Sequence, residues 1–190
     1  MSATKELPVT HDPGKRISWT LRPEISKKHE NWEEKRRAMK SVCYNCHGPD
    51  FIDAFYKQYD QSIDLYNEKF AKPAKKIMEA LKAAGKITPD PFDDPIEFVY
   101  YEIWHHEGRR ARMGASMQGP DYTQWHGFYE IAKHFYAEFI PQAEELAKSS
   151  PEAQKAIVEV MSMDAHRWKK GMSREEREKI NEFYKKRYGE

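Results

Sequence analysis

Apolar positions recur every three or four residues over most of this chain, the repeat of one face of an α-helix. Phe51, Phe55, Tyr59, Ile63, Tyr66 and Phe70 form one such stripe, opened by Pro49, a residue suited to a first helical turn. Pro73 is expected to kink or split this helix, which Ile77, Met78 and Leu81 continue to a C-cap at Gly85. The turn-rich run 88–95 (TPDPFDDP) breaks the pattern, and Asp94 before Pro95 marks a new helix start. Ile96, Val99, Tyr100, Ile103 and Trp104 share its face, after which Gly108, Gly114 and Gly119-Pro120 are expected to loosen the chain between 108 and 120. From about Asp121 a further helix carries Trp125, Phe128, Tyr129, Ala132, Phe135, Tyr136 and Phe139. These aromatic stripes read as core. Pro151 opens a helix to about Lys170, Gly171 ends it, and Ser173-Arg174-Glu175-Glu176 reads as a capping box for a last, charged helix. Upstream, a short charged helix from His29 to Val42 places Trp32 and Met39 inward, and residues 1–28 show no helical period. No period-two run of β-branched residues occurs. The predicted class is all-α: a bundle of long helices over 49–190, preceded by an extended arm and attachment segment over 1–48.

The charge balance narrows the function classes. The 190 residues hold 32 Lys plus Arg and 31 Asp plus Glu, a formal net charge of +1. Nucleic-acid binding driven by bulk charge needs a clear basic excess, so no nucleic-acid partner is expected. Mean hydropathy is −0.96, and no apolar run approaches the roughly 18–20 residues of a membrane span. Five Trp, eleven Tyr and nine Phe are too many large rings for a disordered chain.

The two cysteines change the picture most. Cys43-Tyr44-Asn45-Cys46-His47 is a C-x-x-C-H sequence, the attachment motif for c-type haem. Two thiols at this spacing add across the two vinyl groups of a porphyrin. The next residue brings its imidazole under the iron as the proximal ligand. A thioredoxin-like dithiol would want a βαβ context, and a structural zinc site would want a second Cys/His pair at short spacing; neither is present. The expected cofactor is therefore one covalent haem c. No apolar leader opens the chain, although covalent haem attachment belongs outside the cytoplasm. An extracytoplasmic location reconciles the two, if either the leader is missing or the chain is one portion of a longer exported protein.

Other histidines are candidate sixth ligands. His11 is followed by Asp12, a natural partner for an imidazole N–H. His126 lies one helical turn after Tyr122, so both can face one redox centre. His105 and His106 point in different directions on a helix, so at most one meets a given iron. Arg109, Arg110 and Arg112 beside Glu107 are either a solvated face or partners for haem propionates. Met113 and Met117 are candidate ligands in a stand-alone monohaem electron carrier, which is the alternative reading. A helical interaction module with a purely structural haem is a third.

CYNCHGPDF, the aromatic helix after it, WHHEGRRARMGASMQGPDYTQWHGFYE and the upstream THDPGKR together resemble the C-terminal part of hydroxylamine oxidoreductase, an octahaem cytochrome c of nitrogen metabolism. The likeness covers about residues 8–147. It implies a multihaem fold in which Cys43, Cys46 and His47 hold the last relay haem, His11 is a distal haem ligand, and His126 is an axial ligand to a family haem, one bound mainly by the missing part. It implies that Tyr122 crosslinks to the catalytic haem of a neighbouring subunit in a trimer. Relatives lacking that tyrosine resemble reductases, so its presence leans towards oxidation of hydroxylamine or hydrazine. This chain carries one haem motif where the family carries eight. The remaining haems, the catalytic one included, are expected from a partner chain or a missing part, with a cytochrome as redox partner.

Overall fold

The computed structural model describes residues 32–189, and the expectations for the arm 1–28 and for His11 lie outside the described residues. Among the described residues there are helices and connecting turns but no strand, so the all-α class holds.

Helix α1 (Trp32–Cys43) leads into the C-x-x-C-H turn, and α2 (Pro49–Tyr66) follows at once. A π-helical turn, Asn67–Ala71, joins α2 to α3 (Lys72–Ala83) without a break in the helical path. Pro73 sits in the first turn of α3, and the helix does not end there. The wider turn just before it removes the need for an amide donor that proline lacks. Gly85 closes α3 at φ +62°, a conformation that suits glycine.

The second rod is α4 (Pro95–Tyr101), a π-turn Glu102–Glu107, and α5 (Gly108–Ser116). The third is α6 (Pro120–Thr123), a π-turn Gln124–Tyr129, α7 (Glu130–Lys133), a π-turn His134–Phe139, and α8 (Ile140–Ala147). Helix α9 (Pro151–Met161) starts with Ser150 as a side-chain N-cap. The expected run to Lys170 is interrupted at Ser162-Met163, and a 3₁₀ segment, Asp164–Lys170, completes it up to Gly171. Helix α10 (Arg174–Tyr188) begins with the full capping box of Ser173 and Glu176 and buries no residue.

One hydrophobic core joins these rods. Tyr66, Phe70, Ile77, Leu81, Ile96, Ile103, Ile131, Phe135, Phe139, Ile157 and Val160 are all buried in it. Phe70 meets Phe135 edge-on with ring centroids 5.5 Å apart, and Phe135 stacks on Phe139 at 5.8 Å. Each fully buried Phe contributes roughly 1.5–3 kcal/mol by removing its ring from water. Pro73, Ala74, Ile77, Met78 and Leu81 line one face of α3, which packs against α8 and α9.

Three expectations need correction. The 108–116 segment is regular helix, and its glycines tighten the packing. A Cβ on Gly114 would lie 2.7 Å from Thr123, and one on Gly127 would lie 2.6 Å from Ala111, so α5 and the third rod meet backbone to backbone. The aromatic stripes are core only in part: Phe51, Trp125 and Tyr129 are exposed. Met39 is likewise 55 % exposed rather than inward.

Candidate functional site

The C-x-x-C-H residues form one compact turn at the C-terminus of α1. The amides of Cys46 and His47 donate to the Cys43 carbonyl at 3.1 and 3.0 Å, and Tyr44 N donates to Lys40 O at 2.9 Å. Pro49 then starts α2, so the motif is held between two helices. Asp53 on α2 clamps it: Lys40 Nζ donates at 2.7 Å and Tyr44 Oη at 3.3 Å to the same carboxylate oxygen. That lysine hydrogen bond holds Asp53 below the usual carboxylate range. Higher on the same interface Arg36 forks onto Asp60 with two bonds of 2.9 Å and covers the Tyr56 ring at 4.9 Å.

Both thiols are free, Cys43 half-buried and Cys46 exposed. The His47 imidazole stacks on Phe51, centroids 5.1 Å apart, and no described residue hydrogen-bonds it. Two alkylatable thiols and an uncommitted imidazole in one turn are the residues here that could hold a covalent macrocycle. Val42, Tyr44 and Phe51 are exposed large side chains in and beside the turn.

Tyr122 and His126 come together as the spacing predicts, ring centroids 5.8 Å apart, both exposed. His126 stands between Asp121 and Glu130, each 3.5 Å from one ring nitrogen. The Trp125 and Tyr129 rings lie tilted to each other with centroids 5.8 Å apart, so this end presents an exposed aromatic face. A groove of about 440 Å³ lies between α2 and the start of the third rod, lined by Phe51, Phe55 and Tyr59 on one side and Pro120, Thr123 and Gln124 on the other.

His105 and His106 diverge, as expected. His105 stacks on Tyr101 at 4.4 Å, and burial together with Arg109 lowers its pKa. His106 turns towards Glu102 and Glu107. The three arginines do not form one patch. Arg109 meets His105, Arg110 pairs with Glu130 at 3.2 Å, and Arg112 is buried over the Tyr66 ring at 4.9 Å with its Nε donating to Gly108 O at 2.8 Å. Burial pushes the Tyr66 phenol up to about 12. Met113 and Met117 are exposed.

One cluster went unread in the sequence. Glu107 is buried at 3 % exposure, in contact with His106 and facing His134, whose other ring nitrogen is 3.8 Å from Glu138. Burial raises the Glu107 pKa, partly offset by hydrogen bonds from its own backbone and from His106. The signal was the four-residue spacing in Glu102–His106, Glu130–His134 and His134–Glu138, which sets acid and imidazole on one helix face.

No helix among the described residues is long and apolar enough to cross a membrane. No family model, curated protein or solved structure matches the chain.

Proposed function

We propose that this chain is the C-terminal segment of a hydroxylamine-oxidoreductase-like multihaem cytochrome c, carrying one electron-relay haem and working outside the cytoplasm. The observation that carries the reading is Cys43-x-x-Cys46-His47 in a single clamped turn with both thiols free. A haem bound there supplies one-electron redox chemistry at its iron. Cys43 and Cys46 would hold it by thioethers and the His47 imidazole would ligate its iron, with His11 and His126 the candidate further ligands.

The exposed face of Tyr122, Trp125 and Tyr129 supports an assembly role. Aromatic side chains with polar tips are typical interface anchors. In the proposed assembly Tyr122 offers its phenol to a neighbouring subunit's catalytic haem, and the substrate is hydroxylamine or hydrazine. The missing haems come from the rest of the enzyme, in a trimer-type complex that passes electrons to a cytochrome.

Native mass spectrometry of the complex purified from its source tests this. The expected result is this chain together with haem-rich partner polypeptide and more haems than chains of this sequence. A lone chain with a single haem that binds carbon monoxide readily would overturn it in favour of a stand-alone monohaem carrier.

A further inference from the structure

The π-turn Glu102–Glu107 does something an α-helix cannot. Its wider winding places residues four and five positions on over the same starting residue, so Glu102, His106 and Glu107 converge. His106 Nδ1 stands 3.0 Å from Glu102 Oε2 and 3.2 Å from Glu107 Oε1, and one ligand atom from each of the three lies within 4.8 Å of the others. Two ligands on one ion at about 2.1 Å sit roughly 3.0–3.4 Å apart for right-angle to tetrahedral geometry. The observed spacing is of that size.

A second observation points to a ligand. The Glu107 side chain is 3 % exposed, yet its Oε2 takes part in no hydrogen bond. It faces His134 Nδ1, also buried and without a hydrogen bond, at 3.7 Å. Buried polar atoms are ordinarily satisfied; these two face each other at ion-pair distance, too far apart for a hydrogen bond, which leaves the Glu107 oxygen able to accept a cation. His134 lies in the π-turn His134–Phe139, with Glu138 beyond its other nitrogen as an orienting carboxylate. Glu102 and His106 are about half exposed, which leaves a route in from solvent.

We propose that Glu102, His106 and Glu107, with His134 facing the second oxygen of Glu107, form a site for a divalent transition-metal ion. The mixed imidazole and carboxylate donors suit zinc, iron or manganese better than calcium or magnesium, which prefer all-oxygen sets. Two carboxylates neutralise the ion's charge. Metal on His106 Nδ1 puts the ring proton on Nε2, so Arg110, now 3.0 Å from Nε2, gives up that contact and keeps Glu130. The site is independent of the haem turn.

The test uses the full chain with Cys43→Ala and Cys46→Ala, so that thiolates do not compete; neither residue is in the core. Equilibrium dialysis against Zn²⁺ with elemental analysis counts bound ions, and Co²⁺ absorption reports the donor atoms. The expected result is a single ion with nitrogen and oxygen ligation, bound at least about tenfold more weakly after Glu107→Gln or Glu102→Gln and unchanged after Asp121→Asn beside His126. Glu102→Gln alters a half-exposed side chain, so loss of binding there is not a folding failure. No bound zinc, or binding that survives both Glu→Gln changes, overturns the site and leaves a buried acid–imidazole network only.

Discussion

Gly127→Ala tests the crossing that positions the Tyr122 and His126 face. The added Cβ would lie 2.6 Å from Ala111 Cα, 2.7 Å from the Tyr122 carbonyl oxygen and 2.8 Å from Ala111 Cβ, where ordinary contact begins at 3.4 Å. None of these atoms is the far end of a flexible side chain, so the backbones must part. Overpacking of this kind costs about 3 kcal/mol. Alanine's better helix propensity returns about 1 kcal/mol, leaving a net loss of about 2 kcal/mol. In a domain of this size that lowers Tm by roughly 4–8 °C. Gly119→Ala is the control: its nearest foreign atoms are 3.7 and 4.0 Å away, and its φ is −96°. That change should move stability by less than about 1 kcal/mol. Thermal unfolding followed by circular dichroism reads both. Equal Tm for the two variants, or a rise for Gly127→Ala, would refute the close backbone contact.

His166 is fully buried, stacked on Phe135 at 5.2 Å and bonded to Tyr136 Oη at 2.7 Å. Burial, with Lys69 nearby, depresses its pKa below the ordinary 6.5; the unfolded chain therefore binds the proton first, and stability falls as pH drops from 6.5 through the folded pKa. Denaturant titrations across that window should show the fall, and His166→Phe should flatten it; an identical slope in the variant would exclude His166 as the source. Ser173→Ala removes the cap of α10, worth about 1 kcal/mol. Because α10 buries nothing, hydrogen exchange in 174–188 should quicken while Tm holds, and a Tm drop of several degrees would mean α10 is part of the cooperative unit. If the proposed multihaem assembly exists, Tyr122→Phe in it should abolish a crosslinked-haem absorption and impair oxidation, and an unchanged spectrum would remove Tyr122 from that role.

The helices were legible because their buried faces follow the helical repeat: Ile77, Met78 and Leu81, or Phe135 and Phe139, announce themselves by spacing. Caps were legible for the same local reason, as Ser173 with Glu176 and the positive φ of Gly85 and Gly171 show. The π-turns were not. They change winding by one residue without changing composition, and tertiary packing selects them. Buried glycines misled in the opposite sense. Gly108 is next to the Tyr66 ring, where a Cβ would sit 2.6 Å away, so its small size serves contact rather than looseness. Phe51, Trp125 and Tyr129 fit the stripes yet face outward, because periodicity marks a helix face but not where its covering partner stops. In the candidate site, the turn at Cys43–His47 and the pairing of Tyr122 with His126 were readable from local spacing. The Glu107–His134 contact was not, since it joins residues from two different rods.

The most direct measurement of the central claim is peptide mass spectrometry of protein made in a cytochrome-maturing host, with thiol alkylation before digestion. The expected result is that the peptide containing Cys43 and Cys46 carries one haem through both sulfurs, and that the protein gives a c-type pyridine haemochrome spectrum. Colourless protein whose Cys43 and Cys46 both take up the alkylating reagent would contradict it.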